Sequence, residues 1–513
     1  MNTSEQNQTG AVLSLEKNVF ADGEDIMVTV SGVEKCRFVL YAEGEEPGKG
    51  PDEIYWYLIG DDVKPGKAFS VRKTRTTGRI EYGSLPAGKY TLMLLDGKTT
   101  LTSETITILP PEYAAGFDTE AHEKPQPPKQ VLPDLPKTAE GLAEGNVTVT
   151  LKENTPWANH LYLYWTDENG KEPLAGYAYL ARAHTAGGTT VIPLPRFLTI
   201  PAQAKGILAC AVNHWGKSDY AFAPLPENST ALKPGELKMS FQVVSDLHLE
   251  PDPNSEYTSH LGVMIRDVMS FCPESSGIMV AGDLTNGGEE PQYQIFRSIV
   301  DSIEGAPDFH IVIGNHDTHR NFEQQLELFN KYIGNDRLYF DRWIGGYHFI
   351  FFAQEQSGCQ SPIPEKQLDW LREKLAENAS PDRPIFLFCH ESIVNTVAGS
   401  TPEEGWWGIV NEKEVGGLFA QYPQAILFNG HSHWEVSSKN EMYPADERMC
   451  NAFNTASVGY LWSGYNIVPG EYLDGAEGLH VEVYDNMTLV RGRDFVRGLW
   501  SASAQYVVFP KNK

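Results

Sequence analysis

Five short apolar runs in the second half of this chain each stop at side chains able to hold a metal ion, and this pattern restricts the fold more than any other feature. Phe241-Gln-Val-Val244 runs into Asp246 and His248, and Ile278-Met-Val-Ala281 into Gly282 and Asp283. Phe309-His-Ile-Val-Ile313 leads to Asn315, His316 and Asp317. Pro384-Ile-Phe-Leu-Phe-Cys389 leads to His390, and Ala425-Ile-Leu-Phe-Asn429 to His431 and His433. Residues i and i+2 of a strand share one side. Asp246 and His248 therefore face one point just past a strand end, where open α/β sheets bind their ligands. Oxygen and nitrogen donors meeting at a point suit a divalent transition metal. A lone Asp-x-His reads better as a strand-end turn with a surface His. Five such endings do not, because ordinary strand ends mix Ser, Thr, Lys and Glu.

A chain of 513 residues is too long for one core and implies roughly three domains. Its 41% hydrophobic content can fill them. A net charge of −27 argues against binding a nucleic-acid backbone. The six cysteines are scattered without CxxC spacing, which fits buried free thiols. Residues 1–10 are polar, and no stretch approaches the ~20 apolar residues of a spanning helix. The expectation is no membrane span and a cytoplasmic location, or export if a leader is missing.

Residues 11–109 read as a β-sandwich: short β-branched and aromatic runs are separated by turns at Ala21-Asp-Gly23, Lys64-Pro-Gly66 and Pro86-Ala-Gly88. Tyr90 follows the last turn and is read as core. Residues 110–144 are rich in Pro, Glu and Lys and read as an extended linker. Residues 145–226 read as a second sandwich. From 237 to 505, apolar strands alternate with helical segments, the pattern of a layered α/β domain. Candidate helices are 260–271, 292–303, 322–333, 365–375 and 412–422.

In order and spacing, Asp246-x-His248, Gly282-Asp283, Gly314-Asn-His-Asp317, His390 and Gly430-His-Ser-His433 resemble the calcineurin-like metallophosphoesterase superfamily. The resemblance implies a four-layer α/β/β/α domain behind immunoglobulin- or fibronectin-like sandwiches. It implies two transition-metal ions, iron, manganese or zinc. One would be held by Asp246, His248, Asp283 and His433, and the other by Asp283, Asn315, His390 and His431, with Asp283 as bridge. Hydroxide between the cations would attack phosphorus, and His316, oriented by Asp317, would protonate the leaving group.

The implied partner is a small-molecule phosphoester, a mono- or diester. Gly282-Asp-Leu-Thr-Asn-Gly-Gly288 lacks the metal-binding tyrosine of purple acid phosphatases and the Asp-Arg pair of Ser/Thr phosphatases. It looks more like the cyclic-nucleotide and glycerophosphodiester branch, whereas an N-terminal fibronectin-like module is shared with purple acid phosphatases. Arg320 is read as a phosphate contact or a surface ion pair. Trp406 and Trp407 are read as a pocket rim or core, and Tyr460 as lining the site. Cys389 and His348 are read as structural. The competing reading is a non-catalytic protein whose sandwiches carry adhesion or carbohydrate recognition.

Overall fold

The structure, a computed structural model, describes residues 10–15, 17–20, 26–42, 55–59, 64–70, 88–96, 99–108, 125–136, 142–143, 145–152, 158, 160–185, 188–213, 216–226, 233–335, 337–401, 408–438, 440–463, 471–473 and 475–510. The expected turns at 21–23 and 86–87, most of the expected linker, and Trp406 and Trp407 lie outside the described residues.

Alternating strands build the first β region. Val12–Leu15, Met27–Ser31 and Ala68–Ser70 form one sheet. Val19–Phe20, Thr99–Ile108, Gly88–Asp96, Cys36–Ala42 and Tyr55–Ile59 form another, in that spatial order. Val28, Val30, Phe38, Leu40, Leu92 and Ile106 meet in one core, and Tyr90 belongs to it.

The second β region pairs Asn146–Thr150 with Thr189–Pro193 and with Gln130–Asp134. The last of these lies inside the segment expected as a linker, which is therefore corrected. Val131 alternates inward, and Pro133 sits on an edge strand, where a missing N–H is tolerated. His160–Thr166 and Gly206–Asn213 centre the facing sheet and send Leu161, Leu163, Trp165, Ile207 and Ala209 into the core.

Residues from 237 onward form two six-stranded mixed sheets. In the first, Phe309–Val312, Ile278–Ala281 and Leu237–Val244 run parallel. Glu477–Tyr484, Thr488–Asp494 and Leu499–Val508 continue it antiparallel. The last strand ends three residues beyond the expected boundary of 505. In the second sheet, Tyr347–Phe351, Ile385–Cys389, Ala425–Asn429 and Asn451–Asn454 run parallel.

Side-chain alternation separates the layers. Phe386, Phe388 and Phe428 point between the sheets, where Phe386 meets Phe241 at 4.9 Å. Ile385, Leu387 and Leu427 point the other way, onto helices α5 (Glu365–Ala376) and α6 (Glu412–Phe419). Helices α1 (Glu256–Phe271) and α2 (Glu290–Asp301) bury Leu261, Met264, Ile265 and Phe296 against the first sheet. A four-residue helix α3 (Asn315–Thr318) and the longer α4 (Phe322–Ile333) follow the third parallel strand. The first helix begins four residues before its expected start because Ser255 caps it by accepting from Thr258 N. Among the described residues no helix is long and apolar enough to cross a membrane.

The second β region joins the edge of the first sheet. Trp165 Nε1 donates to Ala502 O at 3.1 Å, and Thr199 Oγ1 to Gln505 O at 2.9 Å. Ala178 N donates to Trp500 O, and Trp500 N to Gly176 O. Arg491 lies 3.7 Å above the Trp500 ring and donates to the Tyr177 hydroxyl. Ala502 is fully buried within the core of the second β region.

Candidate metal centre

All five parallel strands that carry the expected ligands end on one side of the molecule, and the backbone then turns sharply. Asp246, His248, Asp283, His431 and His433 all have positive φ, between 46° and 73°. Non-glycine residues adopt this left-handed region only where surrounding structure holds them there. The turns bring the motif glycines against ligands. A Cβ on Gly430 would lie 2.5 Å from Asp246 Oδ2, and one on Gly314 would collide with Asp283 Oδ1.

Asp246, His248 and His433 bring donor atoms within 4.8 Å of one another, as do Asp246, Asp283 and His390, and His248, Asp283 and His316. His433 Nε2 is 3.0 Å from Asp246 Oδ1, and His248 Nε2 is 3.1 Å from His433 Nε2. Asp283 Oδ2 faces both sets, 3.1 Å from His390 Nε2 and 3.7 Å from His248 Nε2. Asn315 Oδ1 is 3.0 Å from His390 Nε2. His431 borders these groups: its ring packs on His390 at 5.1 Å, and its backbone N–H donates to Asp246 Oδ2.

The opposite ring nitrogens are tied down. His248 Nδ1 meets Asn286 Oδ1 at 3.3 Å, His390 Nδ1 meets Ala281 O at 2.8 Å, and His433 Nδ1 meets Tyr460 O at 3.1 Å. A ring whose Nδ1–H donates to oxygen presents a lone pair at Nε2. Lone pairs of His248 and His433 therefore converge on each other and on Asp246 Oδ1, a buried oxygen without a hydrogen-bond donor. Such an arrangement repels itself unless a cation lies within it. The imidazole, carboxylate and amide donors, with their outer acceptors in place, fit transition-metal ions.

Electrostatics agree. Burial pushes the Asp246 carboxyl up, but His433 and His390 outweigh it and hold it well below the usual range. Asp283 is likewise lowered against its burial, by His390, His316 and His248. His390 is raised well above the ordinary value despite burial, by Asp283 and Asp246. The pocket thus draws in positive charge. His431, buried beside His390, is lowered to about 3.

His316 is half-buried, its ring 4.6 Å from that of His248. Its backbone N–H donates to Asp283 Oδ1 at 2.8 Å, and its ring Nδ1 lies 3.1 Å from Asn286 O. The expected orientation of this ring by Asp317 is corrected. The Asp317 oxygens accept from Leu284 N, Thr285 N, Thr285 Oγ1 and Gly314 N. Asp317 therefore staples the Asp283 turn to the His316 turn. Its carboxyl is pushed up to about 6 by burial and by Asp283. Arg320 forms a surface ion pair with Glu289, the plainer of its two readings. Tyr460 does border the centre, its ring 4.2 Å from that of His433. Cys389 is buried with its thiol raised well above normal, and His348 is buried against Asp341 and Trp343. Asn286 escaped the reading because a backbone carbonyl and an amide in a turn carry no periodic signal.

Residues 239–435 match the family model of calcineurin-like phosphoesterases. The chain is 24% identical over 201 residues to a probable glycerophosphodiester phosphodiesterase, GpdQ, of Arcobacter nitrofigilis, covering 37% of this chain and 70% of that protein. It is 28% identical over 195 residues to a probable cyclic nucleotide phosphodiesterase of Xenorhabdus bovienii, covering 37% and 72%. Among solved structures it is similar to purple acid phosphatase PPD1 of yellow lupin, at 12% identity and a TM-score of 0.41, over 98% of this chain and 96% of that one.

Proposed function

We propose a two-metal phosphodiesterase acting on a small molecule, from the premise that residues 239–435 match the calcineurin-like phosphoesterase family and that the sequence relatives are phosphodiesterases by name. The observation that carries this reading is the single oxygen of Asp283 facing His390 at 3.1 Å and His248 at 3.7 Å. In this reading Asp246, His248 and His433 would hold one cation and Asn315, His390 and His431 the other, with Asp283 serving both. When bound, the two cations lower the pKa of water and neutralise phosphoryl oxygens.

The chain's own residues do the rest. Ala281, Asn286 and Tyr460 fix the ligand rings through their Nδ1 atoms. The Asn286 carbonyl likewise accepts from His316 Nδ1–H, which leaves Nε2, when it too carries a proton, as the atom that gives one to the leaving alkoxide. Asp317 keeps the Asp283 and His316 turns in register. The diester preference follows the names of the sequence relatives. The two β regions, 11–109 and 130–226, are proposed as sandwich modules ahead of a catalytic domain that begins at 237.

Purified protein, stripped and reloaded with manganese, zinc or iron, should be assayed against a panel of cyclic nucleotides, glycerophosphodiesters and phosphomonoesters. Metal-dependent turnover that is faster on diesters is expected. Turnover confined to monoesters would overturn the diester assignment, and no metal dependence would overturn the two-metal reading.

A further inference from the structure

The first two turns of α1 fasten both loops that hold one side of the metal centre. Thr258 Oγ1 donates to Glu250 O and accepts from Glu250 N, just beyond the ligand His248. His260, fully buried, places Nδ1 2.9 Å from Val458 O and 3.1 Å from Gly459 O. Those residues lead into Tyr460, whose carbonyl anchors His433. Tyr257 packs on the Tyr460 ring at 5.0 Å. A shift of this helix end would move the Asp246–His248 loop and the His433 anchor together.

The helix end is gripped from outside the catalytic domain. Arg37, on Cys36–Ala42 of the first β region, donates to Glu256 Oε2 at 2.8 Å, and Glu256 is the first residue of α1. Alternation sends Phe38 and Leu40 into their own core and puts Arg37 on the other face, with Val39 and Tyr41. That face is covered: Val39 is 0% and Tyr41 2% exposed. The side chains of the pair are 11% and 21% exposed, so water screens them little. A cation beside a helix N-terminus opposes the helix dipole, so the Glu256 carboxylate is what makes Arg37 favourable there.

We propose that Arg37 is a positioning residue for the metal centre: the first β region clamps the start of α1 and so sets the geometry of the Asp246, His248 and His433 ligands. This rests on reading the site as a metal-dependent hydrolase, but the test does not depend on having the right ester. Manganese affinity of the full chain is measured by titration calorimetry for wild type, Arg37→Glu, Glu256→Arg and the double exchange. KM and kcat for bis(p-nitrophenyl) phosphate are followed in parallel. Remote residues that bias such an element shift affinities by about three- to thirty-fold. Each single variant is expected to lose manganese affinity within that range, and the double exchange to recover most of it. Single variants that melt earlier but bind manganese as wild type does would overturn the proposal. So would a double exchange no better than Arg37→Glu. If wild type bound manganese yet cleaved no phosphoester, the functional reading would fail, while the affinity comparison would still decide the role of Arg37.

Discussion

His316 Nδ1 lies 3.1 Å from the backbone carbonyl of Asn286, and this contact leaves Nε2 as the ring nitrogen to serve a substrate. A ring held in this way can serve as a leaving-group acid. General acids of this kind contribute about 10²–10⁴-fold. His316→Ala is expected to slow alkyl phosphoesters by about that range, while a nitrophenyl ester, whose leaving group needs little protonation, loses much less. Metal content should stay near normal. Equal losses on both substrates together with loss of metal would make His316 a ligand instead.

Asp283 offers one carboxylate oxygen to two sets of donors. An amide in its place keeps the shape but removes the charge. Asp283→Asn is expected to lower both metal occupancies together in elemental analysis. Retention of two tightly held ions by this variant would rule out a shared carboxylate.

Gly430 and Gly417 allow a matched comparison. A Cβ at Gly430 would meet Asp246 Oδ2 at 2.5 Å, whereas one at Gly417, within α6, meets nothing within 4 Å. Displacing a ligand or its support costs about 10–100-fold in metal affinity, and Gly430→Ala is expected to fall in that range. Gly417→Ala should leave affinity unchanged and raise stability by about 0.5–1 kcal/mol, since alanine holds a helix better. Calorimetry and thermal melts separate the two effects. Unchanged affinity in Gly430→Ala would mean that the loop yields without disturbing Asp246.

The proposed metal ligands were legible because each ends an apolar run of strand length, and a strand end fixes where a side chain can go. Their tethers were not. Tyr460 and Ala281 act through backbone carbonyls, which any residue supplies, and Asp317 acts on the amides of a neighbouring turn. The left-handed backbone at Asp246 and His248 was equally invisible, because neither residue type demands it. Gln130–Asp134 was hidden by its prolines, which suggest a linker until the edge position of Pro133 is known. Nor does composition reveal that Trp165 spans two regions of the chain to reach Ala502.

That tryptophan makes the second β region hard to remove. Cutting before Leu237 would expose Ala502, leave its carbonyl without the Trp165 N–H and remove Tyr177 from Arg491. The fragment 237–513 is expected to be poorly soluble or to melt well below the full chain. In the intact chain, Trp165→Ala should destabilise by about 3–5 kcal/mol, as for other large buried aromatics. A soluble, active fragment with an unchanged melting point would show that this contact is dispensable.

His480 supplies a pH test of the same region. It is buried beside the Trp500 ring, 5.6 Å away, with Nδ1 2.9 Å from Gln242 Nε2. The amide N–H donates, so Nδ1 accepts and the ring is neutral. Burial first, then Arg491 and Arg493, lower its pKa to about 3. An unfolded histidine titrates near 6.5, so between pH 6.5 and 3 the unfolded chain binds the proton more readily than the folded one. The stability from keeping this ring neutral is complete above pH 6.5 and is lost as the pH falls toward 3. His480→Gln removes the titrating group while retaining an acceptor for Gln242. Urea unfolding at pH 7 and pH 5 is expected to show a smaller drop in stability for this variant than for wild type. An equal drop in both would place the acid sensitivity elsewhere and contradict a neutral His480 at this junction.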